Sequence, residues 1–316
     1  MKRALVFPGQ GSQAVGMGKA LADAFPVARA VFDDVDAALG EKLTAVMWDG
    51  PAEDLTLTRN AQPALMAVSI AALRVLEAEA GLDIARDVAM VAGHSLGEYS
   101  ALAAAGALSV ADTARLLRTR GEAMQSAVPV GEGAMAALLG LDLDVAKAVA
   151  GEAAGDDVCE AANDNAPGQV VVSGSKAAVE RAVEIAKTKG AKRAMLLPVS
   201  APFHCSLMAP AADIMAQALA TVEVRPTGVP VVSNVLAAPI TTPADIRQRL
   251  AEQITGAVRW RESVEYMAAQ GVAQLIEVGA GKVLTGLAKR INRDLEALAF
   301  GTPDDLDAAV AALKQA

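Results

Sequence analysis

Apolar residues come in short blocks along this chain, and the blocks alternate between the lengths of strands and of helices. Residues 4–7 predict a first strand, the glycine-rich stretch Pro8-Gly9-Gln10-Gly11-Ser12-Gln13 a loop, and residues 14–25 a helix. Helices are expected over 27–47 and 61–80; the second is apolar nearly all round from Gln62 to Ala80, which predicts burial. Residues 87–92 read as a short buried strand, 98–105 as a helix and 110–126 as another. From about 128 the rhythm changes. Strands over 134–139, 157–162, 169–174 and 193–197, with helices over 144–153 and 175–188, give the order βαββαβ of a ferredoxin-like unit. An α/β fold in two domains is expected: a small ferredoxin-like domain, 128–198, inserted in a large one made of 1–127 and 199–316. In the large one, 199–205 is a loop leading into a helix, and 229–233 and 275–278 are strands. Thr302-Pro303-Asp304-Asp305 opens a last helix with a cap residue, a proline and early acids.

Composition narrows this picture. Of 316 residues 53% are hydrophobic and 21% charged, enough for a large core, but aromatics are only 3%, so Ala, Val, Leu, Ile and Met must build it. A net charge of -9 argues against a nucleic-acid partner, which needs a basic surface. Two cysteines, Cys159 and Cys205, make no disulfide framework, and no metal-ligand spacing is present, so no metal or bound cofactor is expected and a reducing cytoplasm fits. The apolar run after Met1-Lys2-Arg3 is too short for a signal peptide, and no uninterrupted apolar stretch of about 18 residues predicts a membrane span. A monomer is expected.

The predicted strand at 87–92 runs into Gly93-His94-Ser95-Leu96-Gly97 and then a helix-forming stretch. Strand, tight turn and helix are the context of a G-x-S-x-G nucleophile elbow, so Ser95 is the candidate nucleophile. A serine hydroxyl needs a base, and this chain has two histidines. His94 sits inside the turn, where neighbouring side chains diverge, so it suits shaping or substrate contact. His204, in the loop with Pro202, is the candidate base. No acid in a recognisable motif follows Ser95 to orient the histidine, and that third member stays open. The N–H of Leu96 is an oxyanion donor by the geometry of the elbow, with Gln10 in the loop after the first strand as the second. Gly9-x-Gly11-x-x-Ala14 formally fits a dinucleotide fingerprint, but Pro8 interrupts it and no acid-ended strand follows. Among Arg115, Arg118 and Arg120, the first two share a helix face, whereas Arg120 is rotated by about 200° from Arg118 and can enter a cleft.

These residues carry a resemblance. Phe7-Pro8-Gly9-Gln10-Gly11-Ser12-Gln13, Gly93-His94-Ser95-Leu96-Gly97-Glu98-Tyr99, Arg120-Gly121 with Met124-Gln125, and Pro202-Phe203-His204-Cys205 resemble the malonyl-CoA:acyl carrier protein transacylases. So do Asn163-Asp164-Asn165-Ala166-Pro167-Gly168-Gln169, Val258-Arg259-Trp260 and Glu277-Val278-Gly279-Ala280-Gly281-Lys282, almost end to end and in order. The resemblance implies an α/β-hydrolase-like large domain beside the ferredoxin-like small one. It implies malonyl transfer by a ping-pong route, with Ser95 as nucleophile, His204 as base and Arg120 as clamp for the malonyl carboxylate. Gln10 and Leu96 become oxyanion donors, and the carbonyl of Gln253 orients the histidine in place of an acid. His94, Met124 and Phe203 fall at the substrate. The implied partners are malonyl-CoA and an acidic carrier protein, for which Lys187, Lys189, Lys192 and Arg193 form one basic docking cluster and Lys289, Arg290 and Arg293 another. A serine thioesterase or esterase, and a catalytically silent acyl-binding module, are the rival readings.

Overall fold

The computed structural model describes residues 1–199 and 201–314; of the loop expected over 199–205, Ser200 lies outside the described residues. The strands are β1 (Arg3–Phe7), β2 (Met90–Gly93), β3 (Gly133–Leu139), β4 (Cys159–Ala166), β5 (Gln169–Ser175), β6 (Arg193–Leu196), β7 (Val231–Ser233), β8 (Ala238–Ile240), β9 (Gln274–Val278) and β10 (Glu296–Phe300). They form a six-stranded sheet, in the order β10-β9-β1-β2-β7-β8, and a four-stranded one, β4-β5-β3-β6. All pairings in the first are parallel except that of the edge strand β8. Phe7 pairs with Gly93, so the loop after β1 and the elbow after β2 leave the sheet side by side.

Side-chain alternation buries both faces of the large sheet. Leu5, Phe7 and Val91 join one core with the helix Thr58–Ala80, while Ala4, Val6, Ala92 and Val232 join a second with Trp260 and Leu275. Thr58–Ala80 is long and apolar enough to cross a bilayer, but 83% of its most apolar window is buried inside the protein, which makes it a core helix. The four-stranded sheet is antiparallel, and the helices Leu143–Ala154 and Lys176–Thr188 share its apolar core. Its order, strand-helix-strand-strand-helix-strand, is the one the sequence predicts.

Local boundaries differ where side chains or glycines intervene. The helix expected over 27–47 is two, Pro26–Leu39 and Leu43–Asp49: Gly40 turns left-handed at φ 66°, and the Asp36 carboxylate accepts the Thr44 N–H at 3.0 Å. The helix expected from 14 starts at Lys19, after a turn ending in Gly18 at φ 75°. The strand expected from 87 starts at Met90, because the Asp83 side chain caps a helical turn at Ile84–Asp87. The strand expected over 157–162 is β4, which runs on through Asn163-Asp164-Asn165 with two register shifts. Both edge strands β8 and β10, and the helices Pro243–Thr255, Trp260–Ala269 and Val283–Ile291, lie outside the predicted elements.

Candidate active site

The site is assembled at the carboxyl end of β2. Ser95 stands at φ 53°, a left-handed conformation that costs a non-glycine residue energy and lifts its hydroxyl out of the turn. Two glycines make room for the turn. A Cβ on Gly93 would strike the carbonyl of Gly97, and one on Gly97 the carbonyl of Phe7. Asn234, directly after β7, bridges the elbow: its Oδ1 accepts the Ser95 N–H at 2.7 Å and its Nδ2 donates to the Gly93 carbonyl at 2.7 Å.

His204, also left-handed at φ 59° and 4% exposed, brings Nε2 to 2.7 Å from Ser95 Oγ. Its Nδ1 lies 2.9 Å from the carbonyl oxygen of Gln253. A carbonyl only accepts, so Nδ1 carries the hydrogen and the Nε2 lone pair faces the serine hydroxyl. Burial, reinforced by the Arg120 charge, pushes the His204 pKa down to about 3, so the ring is neutral at physiological pH and ready to accept a proton.

Arg120, on the helix Val110–Ser126, is 1% exposed. Its Nη1 donates to Gln62 Oε1 at 2.8 Å, and its Nη2 to Gln253 Oε1 at 2.9 Å and to Ser95 Oγ at 3.1 Å. Gly121 lets this helix close on its neighbour, since a Cβ there would sit 2.6 Å from the Thr58 carbonyl. Arg115 and Arg118 instead turn to Asp112 and Glu41, Arg115 exposed and Arg118 half-buried, away from Arg120 as the helical rotation predicts. Gln253 is the hub: besides its two acceptor contacts, its Nε2 donates to the Ser95 carbonyl at 3.0 Å and to Glu98 Oε2 at 2.7 Å. Glu98 is fully buried, and desolvation raises its pKa to about 7.

Ser95, His204, Arg120 and Gln253 therefore meet as expected. Among the described residues no acceptor faces the backbone N–H of Gln10 or of Leu96; the Gln10 side chain turns to Thr58 Oγ1 at 3.3 Å. His94 points away from Ser95, to Asn165 Oδ1 of β4 at 2.8 Å, with Trp260 5.8 Å away ring to ring. Met124 is buried with its sulfur 3.9 Å from Gln62 Nε2, and Phe203 packs into the main core beside His204. Lys187, Lys189, Lys192 and Arg193, the first basic cluster, are exposed; Lys187 pairs with Glu184 and Lys189 with Glu152. No group of acids, histidines and cysteines among the described residues could hold a metal ion. Sequence reasoning missed Asn234, Glu98, Gln62, Asn165 and the side chain of Gln253. Two left a signal: Asn234 follows a predicted strand, where α/β sheets place ligand contacts, and Glu98 is a lone acid in an apolar helix.

Residues 4–304 match the acyl transferase domain family. A malonyl CoA-acyl carrier protein transacylase of Escherichia coli K12 is 51% identical over 308 residues, 97% of this chain and 98% of the relative. A crystal structure of an acyl-carrier-protein-S-malonyltransferase from Bartonella henselae superposes with a TM-score of 0.96 at 56% identity, covering 99% of both chains. A type II PKS acyl-carrier protein in complex with its malonyl-transacylase matches at a TM-score of 0.95 and 44% identity, over 99% of this chain and 100% of that one.

Proposed function

The chain belongs to the acyl transferase domain family, and we propose that it carries the malonyl group of malonyl-CoA to the phosphopantetheine thiol of an acyl carrier protein through an ester on Ser95. The observation that carries this reading is a buried cation beside the nucleophile, Arg120 Nη2 at 3.1 Å from Ser95 Oγ. A simple ester hydrolase has no use for one. A malonyl group ends in a free carboxylate, which a guanidinium fork grips in two parallel hydrogen bonds. Gln62 and Gln253 steady the guanidinium with uncharged oxygens, so its charge stays available to an incoming anion.

In this scheme His204 Nε2 takes the Ser95 proton as Oγ attacks the thioester carbonyl. The unpaired N–H groups of Gln10 and Leu96 receive the oxyanion, each donor being worth about 3–4 kcal/mol in the barrier. His204 returns the proton to the departing coenzyme A sulfur, and a malonyl ester remains on Ser95. The carrier-protein thiol then attacks that ester by the same steps in reverse, a ping-pong sequence. The Arg120 charge is, after burial, the larger of the remaining causes that hold His204 at about 3. A carboxylate on Arg120 cancels it, so the base strengthens when the right acyl group is in place.

The same reading takes 1–127 and 199–316 as an α/β-hydrolase-like catalytic domain, supported by the strand, elbow and helix around Ser95, and 128–198 as a smaller domain beside it. His94, Met124 and Phe203 bound the acyl site. An acidic carrier protein docks on Lys187, Lys189, Lys192 and Arg193, competing with Glu184 and Glu152 for two of them. The chain works as a monomer in the cytoplasm, without a bound cofactor.

Malonyl-CoA alone tests the reading. Mass spectrometry should find one malonyl group on the peptide carrying Ser95, and an unmodified peptide would sink the scheme. Arg120→Ala should lose about 10²-fold in malonyl transfer while sparing acetyl transfer; equal losses for both would remove the clamp.

A further inference from the structure

Glu98 is the acid in the knot of side chains beneath the elbow. It is 0% exposed. Its Oε2 accepts from the Asn234 N–H at 3.1 Å and from Gln253 Nε2 at 2.7 Å, and its Oε1 meets no donor among the described residues. The Gln253 amide joins it to Arg120, whose Nη2 donates to Gln253 Oε1 at 2.9 Å. Among the described residues Arg120 touches no carboxylate directly; it donates to Gln62, Gln253 and Ser95, and lies 5.6 Å from the Tyr99 ring. Two buried opposite charges thus face each other across a neutral amide, and the cation keeps a free side for another anion.

We propose that Glu98 is the counter-charge that balances Arg120 while the site is empty, and that it takes up a proton from solvent when an acyl carboxylate settles on Arg120. The proposal rests on the reading of Arg120 as the malonyl clamp. Two buried carboxylates around one guanidinium repel each other, and the one without direct contact gives way. Oε1 can hold the proton, and the Ser233 hydroxyl beside it, whose presence favours the Glu98 carboxylate in the empty site, can turn to accept the new hydrogen bond.

The groups facing Glu98 from the surrounding elements stay silent near neutral pH. Arg120, on the helix Val110–Ser126, remains cationic. Tyr99, on Glu98's own helix, has its phenol pushed up by burial. His94 in the elbow and His204 across from it are both held down by burial, His204 at about 3. Ser233, Asn234 and Gln253 carry no charge. Burial moves Glu98 itself to about 7, into the range where an added anion changes its protonation.

Acylation of the wild-type chain near neutral pH, followed by calorimetry in buffers of different ionisation enthalpy, reads the proton directly. Malonyl-CoA should drive uptake of a sizeable fraction of a proton and acetyl-CoA none. Kinetics give a second readout. The KM for malonyl-CoA should rise between about pH 6 and pH 8, by up to about tenfold for each unit by which the substrate shifts Glu98. Glu98→Gln keeps an oxygen for Gln253 and Asn234; it should lower that KM and flatten its rise with pH. An equal proton balance for the two acyl groups, or a pH dependence that survives in Glu98→Gln, overturns the proposal. The Ser95 peptide mass from the same samples separates the two readings. A missing malonyl ester overturns both, and an ester formed without proton uptake overturns this one alone.

Discussion

In the six-stranded sheet β1, β2, β7 and β9 are buried from end to end, whereas in the four-stranded sheet β3 is partly exposed along its length and β6 is mostly open to solvent. The backbone around Ser95 reflects this, while the side chains of His204, Arg120 and Gln253 reach it from a loop and two helices. The elbow follows β2, Asn234 follows β7, and the unpaired Gln10 N–H follows β1, all at the carboxyl ends of parallel strands packed on both faces. The four-stranded sheet sends Asn165, and it stops at His94. Parallel strands point their loops to one edge, and burial on both faces leaves those loops little freedom. A site that needs several polar atoms within about 3 Å of one oxygen is therefore built at the rigid edge, while the half-open sheet is free to form a wall.

Removing the proposed nucleophile should have the largest effect. Ser95→Ala should abolish the acyl ester and cost about 10⁶-fold in transfer, as loss of the nucleophile does in comparable acyl-transfer sites. Stability should change little by urea denaturation. A comparable rate loss from any substitution in the four-stranded sheet would break the contrast between the two.

Next comes Asn234→Ala, at the end of β7. It strands the Ser95 N–H and the Gly93 carbonyl beneath the elbow. Each orphaned buried group costs about 1–3 kcal/mol, so a loss of about 2–6 kcal/mol is expected by urea denaturation. The loss should be accompanied by a fall in kcat with little change in KM, because the elbow and not the substrate is disturbed. A fall confined to KM would mean that Asn234 touches substrate instead.

What could be read from the sequence, and what could not, follows the same division. The first strand, the elbow and the βαββαβ unit were legible because each is a local signal: a short apolar run, a turn with two glycines, a change of period. His204 was legible because the chain offers one alternative, and Arg120 because helical rotation separates it from Arg118. The network that holds them was not. Asn234 reaches Ser95 across 139 positions and Gln253 across 158, and no local pattern records a contact at that separation. Edge strand β8 is three residues with Pro239 in the middle, which reads as a turn. The helix Pro243–Thr255, which carries Gln253, begins with a readable cap at Thr242, but its polar surface hides a stripe of only four buried positions.

Acid and base stability sharpen the comparison further, because the strongly shifted histidine and glutamate both lie under the parallel sheet's loops. Glu98 moves from an ordinary 4.5 up to about 7. Its contribution is complete below about pH 4.5 and is lost as pH rises through about 7. His204 moves from 6.5 down to about 3, so its contribution is complete above about pH 6.5 and is lost as pH falls toward about 3. Between about pH 4.5 and 6.5 the two slopes oppose. Glu98→Gln removes one of them, so the wild type should lose stability relative to this variant as pH rises from about 4.5 to 7, by at most about 3 kcal/mol. Thermal melts of the pair across that range measure it, and a constant difference would place the Glu98 titration outside the fold.

The smallest effect should come from Asn165→Ala, the counterpart of Asn234→Ala on the other sheet. Asn165 Oδ1 meets His94 Nε2 at 2.8 Å, where β4 carries the second of its register shifts. His94 is only partly buried, so once Asn165 is removed its ring nitrogen can turn to water. The cost is then the net worth of one hydrogen bond, about 1 kcal/mol, and not the penalty of an orphaned group. Transfer should fall less than about fivefold, because the hydrogen bonds that fix Ser95 and His204 come from Asn234 and Gln253. If Asn165→Ala instead matched Asn234→Ala in both stability and kcat, the four-stranded sheet would be setting the elbow as well, through His94, and the division between a rigid edge that does the chemistry and a wall that bounds it would fall.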